Sequence, residues 1–342
     1  MTLTRTTLVP SNEAEWLSFR TQDITSTEAA ALFGAGAYIK TPYELYHRKA
    51  GTIGDDFVAS DRTRWGNRLE DAIARGIAED LGLIVEPFKV YMRIAEARMG
   101  SSFDYRIVGV VDEFDGDTEA RRMFREHGHG ILEVKNVDGL QFKRAWLDDG
   151  ETIEAPVHIE CQVQHQLEVA DLGWAIIAPL VGGNTPRPII RVRDRAVGEA
   201  LRTKAAELWA QIAAGTPPAP DFSKDGKTIA QVYVENDGSA VDLSEDPRVG
   251  ALCRAYKKAA ADEAAAKKVK EAKKAELLTI IKAAKSATVP GFKISAGTNK
   301  PSFRAYYREG FEKMTVTITE IPGTQIEAEV PAYRNVKITE AA

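Results

Sequence analysis

The stretch Gly130-Ile131-Leu132-Glu133-Val134-Lys135-Asn136, GILEVKN, decides the fold. Its aliphatic residues mark a strand bound for a core, yet it carries a glutamate and a lysine. In an extended strand residues i and i+2 share a face, so Glu133 and Lys135 project together while Leu132 and Val134 project oppositely. The ordinary reading of such a pair is a cross-strand salt bridge. The sharper one is a metal ligand and the group that handles a water beside it. E-x-K alone favours the ordinary reading, because it occurs by chance in most chains of this size.

The surrounding order adds weight. In MGSSFDYRIVGVVDEF, Asp104 precedes a strand-like run that leads through a polar connection, including REHGHG, into the Glu133–Lys135 strand. Two such strands would bring Asp104, Glu133 and Lys135 to one sheet end. Hard divalent cations such as Mg²⁺ take oxygen ligands in octahedral geometry. Two carboxylates and a backbone carbonyl can hold one or two of them. A bound cation lowers the pKa of its water and neutralises charge on a scissile phosphate. Lys135 could orient or help deprotonate that water, or stabilise the charge that builds on the phosphate.

Glu70, in RWGNRLEDAI, lies off the apolar stripe of its helix and can supply a third carboxylate. Gln162 and Gln166 lie one helical turn apart in CQVQHQL, with His158 and His165 near the same face and Val163 and Leu167 elsewhere. Without the other motifs, those glutamines would be read as a solvated helix face.

Composition sets the bounds. The 342 residues, 44% hydrophobic and 28% charged, suit one large domain with an appendage, or two domains. No run approaches the ~20 apolar residues of a membrane span, and MTLTRTTLVPSNEAEW lacks the pattern of a secretory signal. Cys161 and Cys253 cannot make a disulfide framework, and no C-x-x-C or His cluster suggests structural zinc. A cytoplasmic protein is expected. The net charge of −5 hides an asymmetry: residues 254–285 hold ten Lys/Arg against four acids, a local +6 that leaves −11 for the remainder. An acidic body is compatible with nucleic acid if its acids gather cations and a basic stretch meets phosphate.

Three regions follow from composition. Residues 1–215 alternate helical and strand patterns. ITSTEAAALFGAG reads as a helix capped by Thr25 or Ser26 and stopped by Gly34 and Gly36. DRTRWGNRLEDAIARGIAEDLG is an amphipathic helix with Leu69, Ile73, Ile77 and Leu81 four apart. APVHIECQVQHQLEVADLG reads as a helix with Pro156 in its first turn and an end at Gly173. WAIIAPLVGG and RPIIRVRD read as strands, and AVGEALRTKAAELWAQIAAG as a closing helix. Residues 216–245 form a linker opened by the Pro-rich TPPAPDFSKDG. Residues 246–342 begin with an Ala/Lys/Glu-rich long helix or helical hairpin and end in β-like GFKISAG, KMTVTITEI and AYRNVKI.

EWLSFRTQDITSTEAAALFG, TPYELYHRKAG, RWGNRLEDAI, MGSSFDYRI, GILEVKN and HIECQVQHQLEV…WAIIAPLVGG together resemble, in that order, the YqaJ-type viral recombinase family. That family includes phage lambda exonuclease and belongs to the PD-(D/E)xK nuclease superfamily. The resemblance spans residues 12–195. It implies a restriction-endonuclease-like α/β core, with a central mixed β-sheet flanked by helices, to which the chain adds a C-terminal helical and β-like extension. It also implies a two-metal site for Mg²⁺, with Mn²⁺ able to substitute, and 5′→3′ digestion of double-stranded DNA ends. The product would pass to a single-strand-annealing recombinase partner, and homo-oligomers that encircle DNA occur in the family.

Carried over by position, Asp104, Glu133 and Glu70 would be metal ligands, Lys135 the catalytic lysine and Gln162 a group near metal and water. Arg20 and either Ser26 or Thr27 would grip a terminal 5′ phosphate. Here threonine stands where serine is usual, and SSFDYRI departs from the commoner SPDG. An endonuclease, a helicase-associated nuclease or a non-catalytic DNA-end-binding module on the same core are the alternatives. The chain contains no G-x-x-x-x-G-K-[ST], so an ATP motor would be a separate protein.

Overall fold

The computed structural model describes residues 3–54, 60–150, 152–235, 237–299, 302–305, 327–330 and 333–340. The chain divides into two compact units, Met1–Asp237 and Gly238–Ala342.

The first unit begins with β1 (Arg5–Leu8), α1 (Glu13–Gln22) and β2 (Ile24–Thr25), a 3₁₀ turn (Ala29–Phe33), α2 (Pro42–Lys49) and α3 (Asp61–Leu81). β3 (Leu83–Pro87), β4 (Tyr91–Ile94), β5 (Met99–Ser102), β6 (Tyr105–Val110), α4 (Glu119–His127) and β7 (Gly130–Val137) follow. Next come α5 (Gly139–Ala145), β8 (Leu147–Asp148), β9 (Ile153–Glu154), α6 (Val157–Ala170), β10 (Trp174–Val181), β11 (Thr185–Pro186), β12 (Ile189–Val192), α7 (Arg195–Ala214) and α8 (Gly226–Val232).

The central sheet runs β11-β10-β7-β6-β3, with β12 also paired to β10. β7 and β10 are parallel, joined through α6, and the other pairs are antiparallel, so the sheet is mixed as expected. Alternation along β7 sorts its side chains between two cores. Leu132 packs with Ile73 and Ile77 of α3 on one face, and Ile131 with Ile159, Val163 and Leu167 of α6 on the other. Gly130 starts the strand because a Cβ there would lie 2.6 Å from the Trp174 ring. A second sheet, β1-β4-β5-β2, carries the N-terminal elements.

Several elements end differently from their sequence patterns. ITSTEAAALFGAG forms no α-helix. Ile24 and Thr25 pair in parallel with Met99 and Gly100 of β5, and only a 3₁₀ turn follows, closed by Gly34 at φ 69°. Thr25 caps no helix: its backbone N–H and hydroxyl both donate to Glu28 Oε2 at 2.8 Å, Glu28 is the N-cap of the turn, and sheet pairing claims Thr25 itself. Pro156 is the N-cap of α6 rather than a first-turn residue. The helix ends at Ala170 with Asp171 as its C-cap, not at Gly173. Asp171 takes a left-handed conformation, φ 56°, with its carboxylate held by Arg193 at 2.6 Å.

The expected linker 216–245 is divided by the unit boundary. Its first part is fastened to the first unit: Asp225, 1% exposed, accepts a 2.5 Å hydrogen bond from Thr41, the N-cap of α2. In the second unit the Ala/Lys-rich segment is one helix, α9 (Pro247–Ile281), not a hairpin, and its only buried residue is Ile281. GFKISAG and AYRNVKI fall in β14 (Phe292–Asn299) and β17 (Tyr333–Glu340), which pair antiparallel beside β13 (Ser286–Val289). β15 (Ser302–Ala305) and β16 (Glu327–Val330) form a separate pair. KMTVTITEI lies outside the described residues.

Candidate active site

The register of β6 on β7 builds the centre. Tyr105 pairs with Leu132, so Asp104, one residue earlier, stands opposite Glu133. Asp104 Oδ2 accepts the Val134 backbone N–H at 2.8 Å, which fixes the carboxylate across the strand. Glu133, 2% exposed, points to α6. Lys135 Nζ donates to Glu133 Oε1 at 2.5 Å and to Gln162 Oε1 at 3.1 Å. Gln162 Nε2 donates to Glu133 Oε1 at 2.5 Å, and Gln166 Nε2 to Glu133 Oε2 at 2.7 Å.

The helix face carrying these glutamines is therefore not solvated. Gln162 and Gln166 are 8% and 1% exposed, and α6 is buried nearly all round. His158 lies one turn before Gln162 and lines a hollow of about 250 Å³ with Lys135, Arg62 and Gln141. His165 does not share this face; its Nε2 meets Ile24 O at 3.1 Å, and burial pushes its pKa down to about 4.

The electrostatics are those of crowded carboxylates. Burial, then the Glu133 charge, holds the Asp104 carboxyl well above the usual carboxylate range. Glu70, half-buried on α3, is raised by burial and then by Glu133. Burial works against the Lys135 charge, but Glu133 and Asp104 outweigh it and leave the amine above an ordinary lysine. Lys135 is thus an ammonium in this arrangement, suited to stabilising anionic charge.

No group of three His, Cys, Asp or Glu among the described residues is gathered tightly enough to hold a metal ion. The donor chemistry nevertheless fits a hard divalent cation at the inner pair. Asp104 Oδ1 and one lone pair of Glu133 Oε2 are not taken up by protein donors among the described residues. A cation there would neutralise the repulsion that raises Asp104. Glu70 is raised by the charge of Glu133 and in turn raises Asp104.

The candidate phosphate grip is a separate cluster. Arg20, in the last turn of α1, lies over the Trp16 ring at 4.6 Å and donates to the Thr27 hydroxyl at 3.3 Å. Thr27 is exposed and Ser26 buried at 4%, so the structure sets Thr27 beside Arg20. Lys49 secures the backbone beneath, donating to the carbonyls of Arg20 and Asp23 at 2.8 and 2.7 Å and pairing with Glu28 at 2.8 Å. The two clusters are linked. Trp16 Nε1 donates to Ser102 Oγ at 2.7 Å, and the Ser102 carbonyl accepts from Gln166 at 3.2 Å.

Sequence reasoning reached Gln166 only as the partner of Gln162 at helical spacing. It missed Lys49, Trp16 and Ser102, for which a lone lysine, tryptophan or serine in the sequence gives no signal.

Two strands and a helix thus present paired acids, a lysine and amides at one end of a mixed sheet. Residues 15–173 match the YqaJ-like viral recombinase domain. The chain is 27% identical over 236 residues to the uncharacterized protein YqaJ of Bacillus subtilis, a match covering 67% of this chain and 66% of that relative. In shape it is similar to an alkaline exonuclease from Laribacter hongkongensis (TM-score 0.43, 16% identity, 64% of this chain and 99% of that one). It is also similar to a phage related exonuclease from Haemophilus somnus (TM-score 0.34, 12% identity, 60% and 90%).

Proposed function

We propose that the chain is a divalent-metal-dependent deoxyribonuclease of the exonuclease type. The observation that carries this reading is the register that sets Asp104 opposite Glu133, with Lys135 and Gln162 on the same carboxylate. Paired acids of this kind suit Mg²⁺, or Mn²⁺ in its place, and a two-ion form would recruit Glu70. Such ions supply an activated water and neutralise the scissile phosphate. Lys135 places a fixed positive charge beside that phosphate, and Gln162 holds both Lys135 and Glu133 in register.

Arg20 and Thr27 would grip a terminal 5′ phosphate, with Ser26 beneath them, which supports 5′→3′ digestion of double-stranded ends. Arg20 is suited to this because its planar, permanently charged fork matches phosphate oxygens. The single strand left behind would feed an annealing recombinase in homologous recombination, and a homo-oligomer around DNA is part of the same reading. No helix among the described residues is long and apolar enough to cross a membrane, and action on DNA in the cytoplasm is proposed.

The test is digestion of a duplex labelled separately at its 5′ and 3′ ends, with Mg²⁺ present, against the same duplex closed into a circle. Loss of the 5′ label from linear DNA alone is expected. Cutting of the circle would make the chain an endonuclease, and no degradation of either would leave a DNA-end-binding module.

A further inference from the structure

Three glutamines of α6 are buried, and they do different things. Gln164 closes both ends of its amide on backbone, donating to Val192 O at 2.9 Å and accepting from Asp194 N at 2.8 Å. Gln162 and Gln166, one turn apart, instead clamp Glu133, one on each carboxylate oxygen. Lone-pair counting separates their roles. Glu133 Oε1 already takes two donors, Lys135 and Gln162, whereas Oε2 takes Gln166 alone. A carboxylate oxygen offers about two acceptor directions, so Oε2 is the oxygen with capacity left for a cation.

The Gln166 amide cannot be turned without cost. Nε2 faces two acceptors, Glu133 Oε2 at 2.7 Å and the Ser102 carbonyl at 3.2 Å. Oε1 meets no donor among the described residues, although the side chain is 1% exposed. Turning the amide would set an oxygen against a carboxylate and a carbonyl. A buried acceptor without a protein donor costs stability, and a solvated fold would favour a residue that satisfies both ends, as Gln164 does. A carbonyl oxygen at this place suits a water carried by a cation.

We infer that Gln166 is a positioning residue for a divalent cation, setting the direction of the Glu133 oxygen that binds it. The inference rests on the metal-dependent reading above and deepens it. Because the Ser102 carbonyl shares the same donor, and Ser102 Oγ is held by the Trp16 that underlies Arg20, Gln166 also ties the cation site to the candidate phosphate grip.

The test is calorimetric titration of the full chain with Mn²⁺, for wild type, Gln166→Ala, Gln166→Met and Gln164→Ala, with melting curves in chelator. Groups that orient a metal ligand typically change affinity by roughly 10–100-fold when removed. That weakening is expected for both Gln166 variants, with wild-type affinity kept by Gln164→Ala. Gln166→Met preserves length and burial, so it serves if the alanine variant fails to fold. Gln166 variants that melt lower in chelator but bind Mn²⁺ as wild type does would make the residue purely structural and overturn the inference. A wild-type chain that binds no Mn²⁺ would overturn the metal-dependent reading itself, and the inference with it. Binding by wild type and loss in Gln164→Ala equal to that in Gln166→Met would also refute it, since general loosening of α6 would then suffice.

Discussion

Asp104→Asn isolates the charge on one carboxylate while keeping its structural bond. An asparagine oxygen can still accept the Val134 N–H, now bound at 2.8 Å, so the strand end should stay in place. What changes is repulsion. Burial and Glu133 favour the proton on Asp104 well beyond its unfolded value. Each tenfold by which folding favours that proton costs the ionised form about 1.4 kcal/mol. The fold binds this proton more tightly than the unfolded chain, so without metal the stability falls as pH rises through and beyond the ordinary Asp range. Asp104→Asn removes that slope. In chelator near neutral pH the variant should therefore melt higher, by ~2–4 °C for each kcal/mol recovered in a unit of this size. A divalent cation should reverse the order. At an ion concentration about 100-fold above Kd the wild type gains about 2.7 kcal/mol, and the variant gains little. Thermal melts across pH, with and without Mg²⁺, measure both effects, and a nuclease assay should show cleavage abolished. Equal melting temperatures in chelator together with full Mg²⁺ stabilisation of the variant would refute the placement of Asp104 beside Glu133 and the cation.

Lys135→Ala should lower the cleavage rate on the order of 10²-fold or more, and near-native turnover would remove the amine from the chemistry. Arg20→Ala should selectively abolish any preference for 5′-phosphorylated over 5′-hydroxyl ends, measured as paired initial rates; equal loss on both substrates would make Arg20 a general contact. Truncation after Asp237 keeps Asp225 on Thr41 and removes the Lys-rich α9, so the remaining unit should stay folded and bind duplex more weakly. Its slope of log affinity against log salt should shrink by about 0.9 for each phosphate that α9 no longer neutralises, and an unchanged slope would assign α9 another role.

The sequence by itself determined the local chemistry. Period-2 alternation placed Glu133 and Lys135 on one face of β7, and helical spacing placed Gln162 and Gln166 on one face of α6, because both patterns depend only on backbone geometry within a few residues. The same locality let α3 be read from periodicity and the helical character of the Ala/Lys-rich segment from composition, though not that it is one helix rather than a hairpin. What only the tertiary structure decided was how those faces meet. The β6–β7 register brings Asp104 across to Glu133, and no pattern within either strand states that register. The packing of α6 on the sheet turns its glutamines inward, where composition alone would leave them in solvent. Sheet pairing with β5 overrides the capping signal at Thr25 and leaves a 3₁₀ turn, while Asp225 binds Thr41 from 184 residues away. Each of these depends on contacts between segments distant in sequence. Local propensity contributes tenths of a kcal/mol to about one per residue and yields wherever burial or strand pairing contributes more.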